Sequence, residues 1–324
     1  MNSCISTRRV LMTALTAQPL RLLCTARTEV VLPLVSGPVV RGALLDLFCP
    51  VQGGAACGFA QLFDGCPICP LVATDEDGVG WPDKAAMRSR PFTVELPLRR
   101  GLVPPGEPFE FGLTVFGDPA RLLPLLLAGV ARMAARGIGA RGVAPGLFDV
   151  CEVWAVDPLR GLQRRIPPRA GDDPTAHELP VTHDSALAYA SRLAQDTVTL
   201  ELLEPLRLID AGALAHTLTF QLVARRLLRR IDGLALSTTG AGLALPFTEL
   251  VEAAGAVRVT RDETRWLDVE SYSGRTRRST SIGGLVGRVT FAGGLAPFLP
   301  WLAWGQVTHV GKDATKGNGW YLLA

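Results

Sequence analysis

FEFGLTVFGDPARLLPLLLAGVARMAARG, residues 109–137, carries the plainest structural instructions in the chain. Its first eight residues alternate, putting Phe109, Phe111, Leu113 and Val115 on one face, as a strand with one buried side requires. Asp118 is a helix-capping residue, Pro119 suits the first helical position, and Gly137 after Arg136 is a stop signal. Between them LLPLLLAGVARMAA is apolar enough to lie against a sheet. The passage therefore reads as strand, tight turn, then a helix packed back on its own sheet.

Working outward, an extended stretch from about Gln18 to Leu34 precedes Gly37-Pro38, and Val39 to Phe48 (VVRGALLDLF) forms a short helix. Phe92 to Leu98 (FTVELPL) is a second alternating strand, joined to the first by the Pro104-Pro105-Gly106 turn. Gly146 to Val156 (GLFDVCEVWAV) closes the unit as β-α-β-β-α-β. The order then repeats. Val198 to Leu208 is a strand, and a helix opens at Asp210 and runs to Asp232-Gly233. Strands lie around Arg258 to Tyr272 and over Gly284 to Gly293, a helix over Leu295 to Gly305, and a last strand over Trp320 to Leu323. The expected fold is α+β, two tandem ferredoxin-like (RRM-like) domains. The first spans residues 1–156 with a cysteine-containing insert at 49–90. A linker with one short helix covers 157–196, and the second domain spans 197–324 with a glycine-rich loop near its end.

At 324 residues, two domains of ordinary size are expected. Nearly half the residues are apolar, at 48%, which supplies real cores and argues against disorder. The net charge of +3 excludes a histone-like basic protein, so any nucleic-acid surface must be a local patch. No stretch approaches the roughly 20 apolar residues of a membrane-spanning helix, and the apolar run at Val10 to Leu15 is too short and interrupted for a secretory leader. An odd number of cysteines fits a reducing compartment, so the expectation is a soluble cytoplasmic protein.

Three groups of residues could carry chemistry. The loop from His309 to Tyr321 (HVGKDATKGNGWY) combines glycines, which let backbone approach a phosphate, with Lys312 and Lys316. Its spacing is not that of a Walker A loop, and alone it also reads as a turn before an edge strand. Arginines cluster at Arg225, Arg226, Arg229 and Arg230 on a helix, where a solvated face is the plainer reading. A second cluster, Arg275, Arg277 and Arg278, falls at a strand turn and suits phosphate better. Cys49, Cys57, Cys66 and Cys69 fall within one insert and include a Cys-x-x-Cys pair, so they could close a structural zinc site or stand as free thiols. Cys4, Cys24 and Cys151 read as packing residues. His216 would share a helical face with Phe220, Val223 and Leu227, which suggests a packed structural histidine.

The stretch GGLVGRVTFAGGLAPFLPWLAWGQVTHVGKDATKGNGWY, Gly283 to Tyr321, resembles the C-terminal signature of the CRISPR-associated repeat-processing endoribonucleases of the RAMP superfamily. Pro33 to Gly42 (PLVSGPVVRG), Arg90-Pro91-Phe92 and Gly106 to Asp118 also match in family order. The resemblance implies the same duplicated fold. It further implies a CRISPR antiviral-defence nuclease cutting repeat RNA of a precursor transcript by metal-free attack of a 2′-hydroxyl, with no cofactor for catalysis. Such chemistry needs a base, an acid and positive charge at the phosphorane. His309, which enters the glycine loop beside Lys312, is the candidate acid or base and Lys312 the phosphate stabiliser; because his-x-gly-lys is itself a family pattern, support of the loop is the other reading of His309. RNA would be held by Arg41, Gly311, Lys316, Gly317, Gly319 and the arginines at 275, 277 and 278. Family members often carry a histidine near the first helix. This chain has none before His177, and that helix offers Asp46 instead. Two further readings stand beside the nuclease: a catalytically inactive RNA-binding subunit of a CRISPR effector complex, and a zinc-stabilised interaction protein without RNA.

Overall fold

The structure is a computed structural model describing residues 15–48, 89–95, 100–139, 144–167, 174–273 and 278–324. Strand β1 (Ala17–Ala26) shows why the first sheet forms. From Leu20 onward every second residue is buried while Arg21, Leu23 and Thr25 face outward, the period that pleating imposes. β2 (Val30–Leu32) pairs with β4 (Gly101–Val103) in a short ribbon. Helix α1 (Gly37–Phe48) follows β2, and β3 (Phe92–Glu95) and β5 (Pro108–Phe116) return across the sheet. Helix α2 (Pro119–Arg136) buries Leu123, Leu126, Val130 and Met133. That spacing of three and four residues makes one stripe. β6 (Phe148–Asp157) and β7 (Leu162–Ile166) complete an antiparallel sheet of order β3-β5-β1-β6-β7.

The second half repeats the pattern. β8 (Thr197–Leu206) leads to a two-stranded ribbon, β9 (Ile209–Asp210) with β10 (Ala213–Leu214), and then helix α4 (Phe220–Thr239); α3 (His183–Ala190) precedes β8. After α5 (Phe247–Ala254), strands β11 (Arg258–Asp262) and β12 (Arg265–Leu267) both pair with β15 (Gly284–Ala292). β13 (Glu270–Ser273) and β14 (Arg278–Ser281) form a separate hairpin. Helix α6 (Leu299–Thr308) and β16 (Tyr321–Leu323) end the chain, giving the order β11-β15-β8-β16. Counting only the first, second, third and fourth strands of each half, both sheets read second-third-first-fourth.

Several sequence expectations shift. The helix expected from Asp210 begins at Phe220, because Thr219 caps it with its side chain on the Leu222 N–H and Ala211 and Gly212 take positive φ in the β9–β10 turn. His216 therefore lies in a loop, exposed, with its ring 4.2 Å from that of Trp266. The apolar run expected to be helical from Leu295 starts its helix at Leu299. Residues 157–196, read from sequence as a linker, contain β7 on the first sheet, a 3-10 turn (Pro174–His177) and α3, which packs on α6. The halves share buried surface: Leu15, Ala17, Phe116 and Leu159 pack into the same apolar cluster as Leu200, Leu227 and Trp304. A second cluster, around Leu22, Phe111 and Met133, fills the first half. Among the described residues no helix is long and apolar enough to cross a membrane.

Candidate nucleic-acid interface

The glycine-rich loop, residues 309–320, follows α6 and is folded mostly against its own chain. Five residues in it have positive φ: His309, Gly311, Asp313, Gly317 and Gly319. A Cβ at Gly319 would lie 1.9 Å from the Val310 carbonyl oxygen, and one at Gly311 would lie 2.4 Å from that of Arg207. These glycines permit close approach of backbone to backbone. The N–H groups of Gly317 and Gly319 donate to Ala314 and Pro205, that of Lys312 to Arg207, and that of Val310 to Gly319. The loop's amides at Gly317 and Gly319 are thus engaged internally, which leaves the side chains to meet an outside ligand. Lys312 is exposed. Lys316 sits 2.7 Å from the Asp313 carboxylate, so part of its charge is already answered.

His309 is fully buried. Its ring stacks on that of Trp320, 6.0 Å away and 16° from parallel. Neither ring nitrogen makes a hydrogen bond of ordinary geometry, although backbone at Ala314 and Gly317 lies near enough to favour the proton slightly. Burial, reinforced by the neighbouring Arg230 guanidinium, holds its pKa down at about 3. Sequence reasoning made this residue an acid or base; in this position its imidazole is neutral and out of solvent. Arg230 is half-buried and donates through Nε to the Thr308 carbonyl at 3.2 Å, with desolvation lowering it to about 10.

The loop also bridges the halves. Its short 3-10 turn (Ala314–Lys316) packs against α1, the helix of Arg41, and against β3. Thr93 in β3 donates to the Val307 carbonyl at 3.3 Å, and Arg100 pairs with the buried Glu204. The helix that carries Arg41 and the loop that carries Lys312 and Lys316 therefore meet at one joint. The other expected sites are not gathered there. Arg225 pairs with Asp210 at 2.5 Å, Arg226 donates to the Ile209 carbonyl, and Arg229 lies over Phe247. This cluster stays at least partly in solvent and also braces the β9–β10 ribbon and α5. Arg275, Arg277 and the side chain of Arg278 lie outside the described residues, as do Cys49, Cys57, Cys66 and Cys69. Among the described residues no group of three or more His, Cys, Asp and Glu could hold a metal.

Sequence reasoning missed a row across the first sheet. Glu95 is opposite Gly112, Gly112 opposite Arg21, Arg21 opposite Trp154, and Trp154 opposite Arg165. Directly opposed residues share a face, so a carboxylate, two guanidiniums and an indole line up. The alternation of β1 marks Arg21 as outward, but only the register joins it to the rest.

The fold and this joint define a two-sheet α+β protein whose glycine-rich loop is locked between its halves, with basic side chains around it. Residues 15–178, half of the chain, match the family AF_1859_N, described as an N-terminal domain. Residues 200–321 match the family described as CRISPR-associated endoribonuclease Cas6. By the match over half of its length the chain belongs to the AF_1859_N family, and its C-terminal segment is similar to the Cas6 endoribonuclease family. Among solved structures, a chain of a partial Cas6-RT-Cas1–Cas2 complex is similar over 96% of this protein, with 11% identity and a TM-score of 0.60. This protein spans only 46% of that chain. A Cas6 (TTHB231) product complex is similar over 95% of this chain and 100% of its own, with 16% identity and a TM-score of 0.56. The Thermus thermophilus Cas6 of the same designation gives 14% identity and a TM-score of 0.52 over 96% of this chain and 99% of its own. At these identities the likeness concerns the fold. No curated protein matches the sequence.

Proposed function

We propose that this protein binds the repeat of a precursor CRISPR transcript and cleaves it without a metal. In this reading the halves are tandem ferredoxin-like units, and the ribose 2′-hydroxyl gives up its proton to solvent and attacks the adjacent phosphate, while the bond from phosphorus to the 5′ oxygen breaks and that oxygen takes a proton from solvent, leaving a cyclic phosphate and a 5′-hydroxyl. The observation that supports it best is the position of the Cas6-matching segment. It contains the whole glycine-rich loop, in which exposed Lys312 stands two residues before the 3-10 turn that packs on α1. Lys312 stabilises charge developing on the phosphate. Arg41, Lys316 and the arginines at 275, 277 and 278 hold the RNA backbone. Gly311, Gly317 and Gly319 serve the RNA by shaping the loop. His309 acts in place, as the buried support of the loop and of Trp320.

The burial of His309 favours a second reading, an RNA-binding subunit of a CRISPR effector assembly that has lost its base. One experiment separates the two. Purified protein is given the repeat RNA of its own CRISPR array with EDTA present, alongside Lys312→Ala and His309→Phe. Cleavage lost in Lys312→Ala and kept in His309→Phe, which preserves an aromatic stack, supports the nuclease as described. Loss in both with folding intact returns His309 to the chemistry. Tight binding without cleavage by any form establishes the inactive subunit.

A further inference from the structure

Between the sheet of the first half and the end of the glycine loop lies a cleft of about 310 Å3, lined by Arg21, Glu95, Glu110, Gly112, Gln163 and Trp320 among others. We propose that this cleft receives one unpaired guanine of the bound RNA, with Glu95 and Arg21 reading its edge and Trp320 stacking on its plane. The proposal rests on the RNA-binding reading above and adds a base-specific subsite to it.

Three observations carry it. The first is the gap at Gly112. Glu95, Gly112 and Arg21 are directly opposed on three neighbouring strands. That places Glu95 and Arg21 two strand spacings apart, about 10 Å between backbones. A Cβ at residue 112 would lie 2.6 Å from the Glu95 carboxylate oxygen, so the carboxylate reaches over the glycine toward Arg21. The second is the balance of charge. Asp157 and Glu110 also line the cleft, and Asp157 is engaged by Arg160 and by the Ser185 hydroxyl. With three carboxylates and one guanidinium at its walls the cleft is hostile to phosphate. It suits a neutral, flat group rich in donors. The third is the mixture of unfilled partners. Arg21 donates through Nη2 to Gln163 at 2.8 Å, while its buried Nε has no acceptor among the described residues.

Guanine supplies the complement. Its N1–H and N2–H2 are two parallel donors for one carboxylate, which accepts on both oxygens, and its O6 is an acceptor beside them. Adenine and cytosine offer one amino group, and uracil a single N–H. Trp320 is partly exposed and its ring is stacked on buried His309, so it is held as a rigid stacking surface. Burial pushes the Glu95 carboxyl up to about 7, opposed in part by its hydrogen bond with Thr114. Ionised Glu95 is the form that accepts from guanine, so guanine preference strengthens as pH rises through neutrality. Arg21 on β1, Glu110 on β5 and Asp157 on β6 are the other charged groups lining the cleft.

The test uses labelled single-stranded RNA octamers of uridine carrying guanosine, inosine or uridine at the fifth position, with affinities read by fluorescence anisotropy at pH 6 and pH 8. The full chain should bind the guanosine probe about tenfold more tightly than the uridine probe at pH 8, with inosine between them, and the ratio should shrink at pH 6. Glu95→Gln should remove most of the guanosine preference. Trp320→Ala should weaken all three probes, and Trp320→Phe should restore them. Equal affinities for the three probes in the natural protein overturn the proposal, and that comparison holds even if Glu95→Gln fails to fold. So does a guanosine preference unchanged in a folded Glu95→Gln protein. If the octamers do not bind while the full repeat RNA is bound, the subsite fails and the proposed function stands. If neither binds, both fail.

Discussion

Helices α2 and α6 occupy the same place in their respective halves, after the third strand, and have opposite surroundings. α2 buries one stripe and leaves Arg132 and Arg136 in water. Every residue of α6 except Pro300 is buried, because the second sheet, α3 and β3 of the first half all pack on it. A helix apolar all round belongs inside. The lesson is that identical strand order does not give identical roles. α2 completes one half, whereas α6 is where the halves meet. The loop that follows α6 inherits that rigidity, and its glycines serve close packing more than openness.

The largest test of this contrast is Trp304→Ala. Trp304 is fully buried in α6 and donates to His183 Nδ1 at 3.3 Å. Its loss should cost about 3–5 kcal/mol in urea unfolding, against near zero for Arg132→Ala on the exposed side of α2. A small cost for Trp304→Ala would mean that the halves do not depend on α6. Next in size is Arg100→Met, which strands the buried Glu204 carboxylate across the joint. Breaking such a pair costs about 2–3 kcal/mol when one partner is partly exposed, and the loss should be greatest at high pH.

The two halves also share a pH response of opposite sign to the usual carboxylate. Burial raises Glu95 in the first half and Glu204 in the second to about 7, with Arg100 opposing in the latter. Folding therefore takes up protons. The stabilisation is full below about 4.5 and is lost as pH rises through about 7. Melting temperature should fall between pH 5 and pH 8, by the equivalent of on the order of 1–3 kcal/mol, and Glu95→Gln should flatten part of the slope. A melting temperature that climbs over this range would contradict both assignments. The smallest effect is on the loop itself. Lys312→Ala should reduce the salt dependence of RNA binding by about one released ion, and Lys316→Ala by less, since Asp313 already holds it.

The order of strands and helices was legible from local signals, as in the alternation of residues 109–116 and the Pro119 and Gly137 punctuation around α2. The helix start at Phe220 was misplaced because Asp210 is a plausible cap by type. Only the positive φ at Ala211 and Gly212 makes it a hairpin residue instead. The glycine loop announced itself through its composition. The role of His309 did not, since a histidine beside a lysine reads alike whether its ring faces water or stacks inward.

The sequence by itself determined the mixed α+β character, the strand and helix of residues 109–136 and the glycine loop, because capping, turn and period-two patterns are local. Tertiary structure alone decided which residues face one another. Burial of His309 depends on α6 being enclosed from three sides, and the Glu95–Gly112–Arg21 row depends on the register of strands as far apart as residues 21 and 112. Register and enclosure are set by packing across long sequence distances, which no local pattern encodes.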